Sequence, residues 1–166
     1  MSVQIFDERL APDADQEFVV FLIGMRVNKW WQLRKWLHTA RAMPRMIKEL
    51  QANPALGLKH VYGVRTGRNF ISIQYWESFE ALRDYANNPD HEHKPAWSEF
   101  YKVVGLKGDV GIWHETYAVK PGQYEAIYGN MPKFGLGTFL PVEKASGRYG
   151  DAISRMKGAA AKEAAE

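Results

Sequence analysis

A chain of 166 residues with 46% apolar and 25% charged side chains has the make-up of one globular domain long enough to bury a core. Its 22 basic and 19 acidic residues nearly balance, at a net charge of +3, which argues against nucleic acid as a partner. With no cysteine, disulfides, thiolate metal sites, iron–sulfur ligation and cysteine nucleophiles are excluded together, while six tryptophans each need a pocket, an interface or a ligand.

Residues 1–15 have no signal-peptide pattern and read as an N-terminal arm. The longest apolar run, residues 18–25, is a strand's length and too short to cross a bilayer. A soluble cytoplasmic protein is the expectation. Residues 16–27 form the first predicted strand, apolar on both sides as a covered central strand requires.

Residues 29–51 read as a helix capped by Asn28, with Leu33, Leu37, Ala40, Met43, Ile47 and Leu50 on one buried stripe. Pro44 predicts a kink or a break near residues 40–43. Trp30, Trp31 and Trp36 crowd its first turns among lysines and arginines. Such a helix could lie on a membrane surface. Its place between two strands favours a core helix instead, so membrane association is not expected.

Residues 58–66 and 70–77 predict a hairpin across Gly67-Arg68-Asn69. In its second strand Ile71, Ile73 and Tyr75 make one side uniformly apolar, while Phe70, Ser72, Gln74 and Trp76 make the other mixed. Ser78 caps a helix over residues 78–88, and Pro95 opens a second short helix over residues 95–104. Residues 110–119 are the last strong strand, with Ile112 and His114 on one side and Trp113, Glu115 and Tyr117 on the other. A short strand over residues 123–128 and a Gly/Pro-rich loop over residues 129–140 follow. The tail, residues 141–166, becomes rich in Ala, Lys and Glu and is expected to be partly disordered.

The order is βαββαβ over a domain of residues 16–140, an α+β fold with a ferredoxin-like antiparallel sheet and its helices on one face. The bare face calls for a second copy, so a homodimer with two packed sheets is expected.

The run Phe70-Ile71-Ser72-Ile73-Gln74-Tyr75-Trp76-Glu77-Ser78-Phe79-Glu80-Ala81-Leu82, followed by Asn88-Pro89-Asp90-His91, resembles the dimeric α+β barrel superfamily. Antibiotic-biosynthesis monooxygenases, haem-degrading monooxygenases and haem-dependent aldoxime dehydratases share that fold. The segments from Asn88 to Trp97 and from Val110 to Tyr117, with Tyr124 to Pro132, resemble more narrowly a bacterial and fungal monooxygenase-like family. The resemblance implies a small-molecule oxidoreductase with a small hydrophobic or aromatic substrate. Its cofactor would be haem b, or none. The alternatives are a non-catalytic protein that binds a hydrophobic ligand or haem, and a haem-dependent dehydratase-type lyase.

Within that frame His114 is the first choice for a general base or a haem-iron ligand, expected to be buried on its strand, and His93 is the second choice for iron. His60 is a further base candidate. Trp76, Trp97, Trp113 and Tyr117, with Tyr62, are the aromatic walls of a cofactor or substrate pocket. Arg26, Arg65 and Arg68 are candidate partners for haem propionates or an acidic substrate. His91 and His93 flank Glu92 without the spacing of a zinc motif, so surface or capping roles are the default reading of both.

Overall fold

The computed structural model describes residues 3–157. Their elements in chain order are β1 (Phe6–Pro12), β2 (Phe18–Val27), α1 (Leu33–Ala52), β3 (Leu58–Thr66), β4 (Asn69–Trp76), α2 (Phe79–Asn87), α3 (His93–Val103), β5 (Val110–Val119), β6 (Tyr128–Met131), β7 (Val142–Lys144) and α4 (Ala152–Lys157). Two compact units result among the described residues: 19–117, and the flanking residues 3–18 with 118–157.

The first unit contains the predicted βαββαβ order. Its sheet runs β3-β4-β2-β5, with β4 antiparallel to both neighbours. The β3–β4 hairpin closes with Thr66 opposite Asn69, and Gly67 in the turn takes a φ of 54°, which a side chain would resist. Strand alternation aims Val19, Phe21, Ile23, Met25 and Val27 of β2 the same way as Phe70, Ser72, Gln74 and Trp76 of β4. This is the face that the helices cover. Its core has two centres. Val19, Trp76, Met46, Leu50, Leu82 and Tyr85 pack at one end of the sheet, and Met25, Val27, Phe100, Val104 and Val110 at the other.

Helix α1 departs from expectation at its start. It begins at Leu33, not at residue 29, and Asn28 is not its cap. The amides of Asn28 and Lys29 donate to the backbone oxygen of Asp109 at 3.1 Å each, which holds them outside the helix. The buried Asp109 carboxylate also takes the Lys29 ammonium at 2.6 Å and that of Lys35. Those two hydrogen bonds, Lys29's first, keep the Asp109 carboxyl below its ordinary range. Pro44 lies inside a helix that runs unbroken from Leu33 to Ala52. Only the later part of the predicted stripe is covered: Leu50 is buried, whereas Leu33 and Leu37 are 56% and 38% exposed.

One carboxylate ties the helices together. Glu49 of α1 accepts from the Tyr85 hydroxyl of α2 at 2.7 Å and from the Glu92 amide at 3.1 Å, and it meets His91 Nδ1 at 3.1 Å. Burial would raise the Glu49 carboxyl, but the bonds from Tyr85, Glu92 and His91 outweigh it and leave it lowered. Tyr85 is pushed far up in return, by burial first and then by Glu49. Arg45 reaches Glu92 at 3.4 Å and Glu99 at 3.8 Å, and His38 reaches Glu99 at 3.4 Å, adding exposed ties between α1 and α3.

The second unit changes the reading of both chain ends. The segment expected as an arm carries β1, the middle strand of a three-stranded sheet in the order β6-β1-β7. Leu10, Ala11 and Ala14 are buried, and Tyr124 donates its hydroxyl to the Asp13 carbonyl at 3.2 Å. The strand expected at residues 123–128 forms at Tyr128–Met131 instead, where β1 supplies its pairing. Of the expected tail, Val142–Lys144 pairs with β1 and Ala152–Lys157 is helical, with Arg155 bonded to Glu125 at 2.8 Å. Residues 158–166 of that tail lie outside the described residues. Among the described residues, no helix is long and apolar enough to cross a membrane.

Two outcomes follow from these ties. Asp109→Asn should raise amide exchange at Asn28 and Lys29 and lower the melting temperature, as hydrogen exchange and calorimetry would show. Glu49→Ala should cost about 1–3 kcal/mol at neutral pH through its lost charge-assisted bonds. Because the native Glu49 carboxyl is lowered, its contribution is complete above the unfolded value of about 4.3 and is lost as pH falls through the lower native value. Urea unfolding at pH 7 and again near pH 3 should therefore show the gap between parent and variant closing in acid.

Candidate functional site

The inward face of β4 has large residues at its ends, Phe70 and Trp76, and the polar Ser72 and Gln74 between them. Gln74 donates to the Ser72 hydroxyl at 3.3 Å and accepts from the Trp76 indole N–H at 2.9 Å, so these buried groups satisfy one another. The large side chains join the two core clusters, and the middle of the face is left free for two chambers. The first, about 450 Å³, lies under α1 and α3 against Ile23, Ser72, Ala40, Ile47, Phe100 and Ile112. The second, about 440 Å³, lies against Phe21, Gln74, Trp76, Leu50, Leu82 and Thr116. Ile23, Met43, Met46, His93, Trp97 and His114 border both. On the sheet's other face Gly24 matters by its lack of a side chain. A Cβ there would stand 2.8 Å from the Trp113 indole nitrogen, so glycine is what lets that ring lie over β2.

His93 has the most defined chemistry of the shared wall. It is the first residue of α3, and its Nδ1 lies 2.9 Å from the Ala86 carbonyl oxygen at the end of α2. A carbonyl only accepts, so Nδ1 carries the proton and Nε2 of the neutral ring keeps its lone pair. Trp97, one turn along, stacks beside the imidazole with centroids 6.4 Å apart and planes at 17°. Glu49 holds the residues next to both ends of this bond: Tyr85 precedes Ala86, and Glu92 precedes His93. The site thus has one imidazole of set tautomer between two largely apolar chambers.

His114 borders the same two chambers, with its ring 5.6 Å from that of Phe21, but it is exposed and not buried as expected. The reason is its strand: β5 is the edge of the sheet, and residues 114–118 all lie open. Trp97 borders both chambers and Trp113 the first. Trp76 touches the second chamber but is 1% exposed, and its indole N–H is taken by Gln74, which makes it a core residue.

His60 and Tyr117 do not join the site. His60 points to the sheet's other face, where it clusters with Tyr62 and Tyr75, and burial lowers its pKa. Tyr62 lies there too and lines neither chamber. Tyr117 is 50% exposed and donates its hydroxyl to Glu115, which raises its pKa. His91 is held by Glu49 and stacked on Tyr85, with centroids 5.2 Å apart, in accord with a helix-end role. Of the three arginines only Arg65 reaches a chamber. Arg26 donates to Asn69 Oδ1 at 3.3 Å and Arg68 to the Asn28 carbonyl at 2.6 Å.

Sequence reading missed Glu49, Ser72, Gln74, Met43 and Met46. The mixed side of the 70–77 strand was the available signal, since polar residues in the middle of an otherwise large face leave room for a ligand. Among the described residues, no three His, Asp or Glu side chains gather to hold a bare metal ion. A haem iron needs only one protein imidazole; with Nδ1 of His93 tied to a backbone carbonyl, Nε2 of the neutral ring would be the nitrogen to hold it.

Comparison with known proteins agrees with this architecture. The family model described as monooxygenase af470-like matches residues 18–136. The monooxygenase af470 of Aspergillus fumigatus is 31% identical over 93 residues, which are 53% of this chain and 32% of that protein. The chain therefore spans about a third of that relative's length. A crystal structure of an aldoxime dehydratase superposes with a TM-score of 0.68 at 15% identity, over 85% of this chain and 45% of that one. A second aldoxime dehydratase, in complex with butyraldoxime, gives 0.65 at 15% identity, over 84% and 42%. At such identity the likeness is one of fold. The α+β fold with its ferredoxin-like sheet and the extent of the family match together establish that the chain belongs to the monooxygenase af470-like family.

Proposed function

We propose that the chain is a small-molecule oxidoreductase of the monooxygenase type, acting on an apolar or aromatic substrate held in the two chambers, with His93 as its central residue. The observation that carries this reading is the His93–Ala86 bond at 2.9 Å, which takes up Nδ1 and leaves Nε2 of the neutral imidazole as the basic nitrogen beside both chambers. Such a nitrogen can take a proton from a phenol or enol, and the resulting anion is the species that reacts with dioxygen. The Ser72 hydroxyl, which accepts from Gln74, keeps its own proton to donate toward the first chamber. Trp97, Met43 and Met46 provide apolar contact area beside the base.

Haem b fits the same nitrogen. Nε2 of His93 would hold the iron, with Trp97 beside the imidazole and His114 on the facing strand. When bound, haem would supply the metal centre for oxidation, or for a dehydratase-type lyase reaction such as the aldoxime dehydratases of this fold perform. The working form in this reading is a homodimer. Leu22, Tyr62, Ile73 and Tyr75 share the sheet face away from the helices, and an apolar face of that kind suits a second copy.

Absorption spectra after haem addition test the assignment. A Soret band should form in the parent, persist in His114→Ala and be lost in His93→Ala. A band unchanged in His93→Ala removes His93 as the ligand. With no band in the parent, the cofactor-free reaction remains, and His93→Ala should then lower substrate-dependent oxygen uptake by about 10²–10⁴-fold. Substrate binding without oxygen uptake in the parent would leave a non-catalytic binding protein.

A further inference from the structure

The two chambers are electrically one-sided. Among the described residues, no aspartate or glutamate borders either of them, although the chain has 19. Three cationic side chains do: Arg65 at the first chamber, and Arg83 and Lys94 at the second. In a chain whose charges nearly balance, this lining disfavours a cation in the chambers and favours an anion.

The three cations are not equivalent. Arg83 is engaged by Asp84, with bonds of 3.1 and 3.0 Å. Lys94 donates to the Asn87 carbonyl at the end of α2, at 3.3 Å. Arg65 has neither kind of partner among the described residues; its guanidinium lies 5.4 Å from the centre of the Phe70 ring. Arg65 stands opposite Phe70 across the β3–β4 pairing, and both residues border the first chamber. An arginine braced on an aromatic wall loses little freedom on binding and keeps its planar set of N–H donors for a carboxylate.

We infer that the first chamber ends in a carboxylate subsite formed by Arg65, so that the ligand is an apolar-bodied acid whose body lies toward His93 and whose anionic end lies at the rim of β3. This inference rests on the two chambers being the ligand site. The carboxylate could belong to a free organic acid or to haem, which carries two, and the chemistry at Arg65 is shared.

Fluorescence titration of the purified haem-free protein separates these cases. The probes are 1-pyrenebutyric acid and its methyl ester, and, in a parallel absorption titration, haem and its dimethyl ester. The acid should bind about three- to five-fold more tightly than its ester, the range of one ion pair to an exposed arginine. Arg65→Gln should remove that preference by weakening the acid alone, and Arg65→Lys should keep part of it. An unchanged ester affinity in Arg65→Gln shows that the chamber is intact. A preference in the pyrene pair assigns the subsite to substrate, and one confined to the haem pair assigns it to the cofactor. Equal affinity for acid and ester in both pairs, or a full preference retained in Arg65→Gln, overturns the subsite and leaves the proposed function standing. No binding of any of the four also overturns the subsite, and the proposed function then stands or falls on the oxygen-uptake measurement.

Discussion

The site depends on where the Glu49 carboxylate is satisfied. It sits on α1, and its partners come from α2 and from the link between α2 and α3. A carboxylate drawn out of water must replace its hydration with donors, and here the donors are a phenol, an amide and an imidazole. Each partner belongs to a segment that has to be in place for the chambers to exist. Tyr85 and Glu92 are the immediate neighbours of Ala86 and His93, so one charge fixes the acceptor and the donor of the bond that sets the His93 tautomer. The Glu49 contacts and the His93 bond are thus one residue apart on each side.

The sheet sets the space and the helices close it. A face made of Phe70 and Trp76 alone would pack solidly against α1 and α3. With Ser72 and Gln74 between them, the apolar packing gathers into one cluster at each end of the sheet, and the chambers take the middle. Unfilled volume in a protein interior lowers stability. The ties at Glu49 and Asp109 offset part of that cost near the two ends of α1. The lack of carboxylates around the chambers adds a second selection, since an apolar body with a negative end is the ligand those walls oppose least.

Much of the fold was readable because its signals are local. Ser78 caps α2 through its hydroxyl, accepting from the Ala81 amide at 3.1 Å, as its place before an apolar run implies. The hairpin follows from its turn residues, and β5 occupies its predicted span. Where the reading went astray, a distant partner decided. Asn28 does not cap α1 because Asp109, far along the chain, holds the amides of Asn28 and Lys29 and the helix starts only at Leu33. At the N-terminus β1 alone shows too little period to predict a strand; its pairing partners lie near the other end of the chain.

The histidines show the same division. By itself the sequence determined the strand and helix order, the α+β class, the resemblance that the family match bears out, and the short set of imidazoles from which a base or ligand could come. These depend on near-neighbour periodicity and turn chemistry, which a linear chain displays. The tertiary structure alone separated the imidazoles by their surroundings. It placed His114 on an open edge strand, turned His60 to the other face of the sheet, and gave His93 a carbonyl seven residues back that fixes its proton. Burial, face and tautomer depend on what lies opposite a side chain in space. For His93 that environment exists only after α1, α2 and α3 have closed on Glu49.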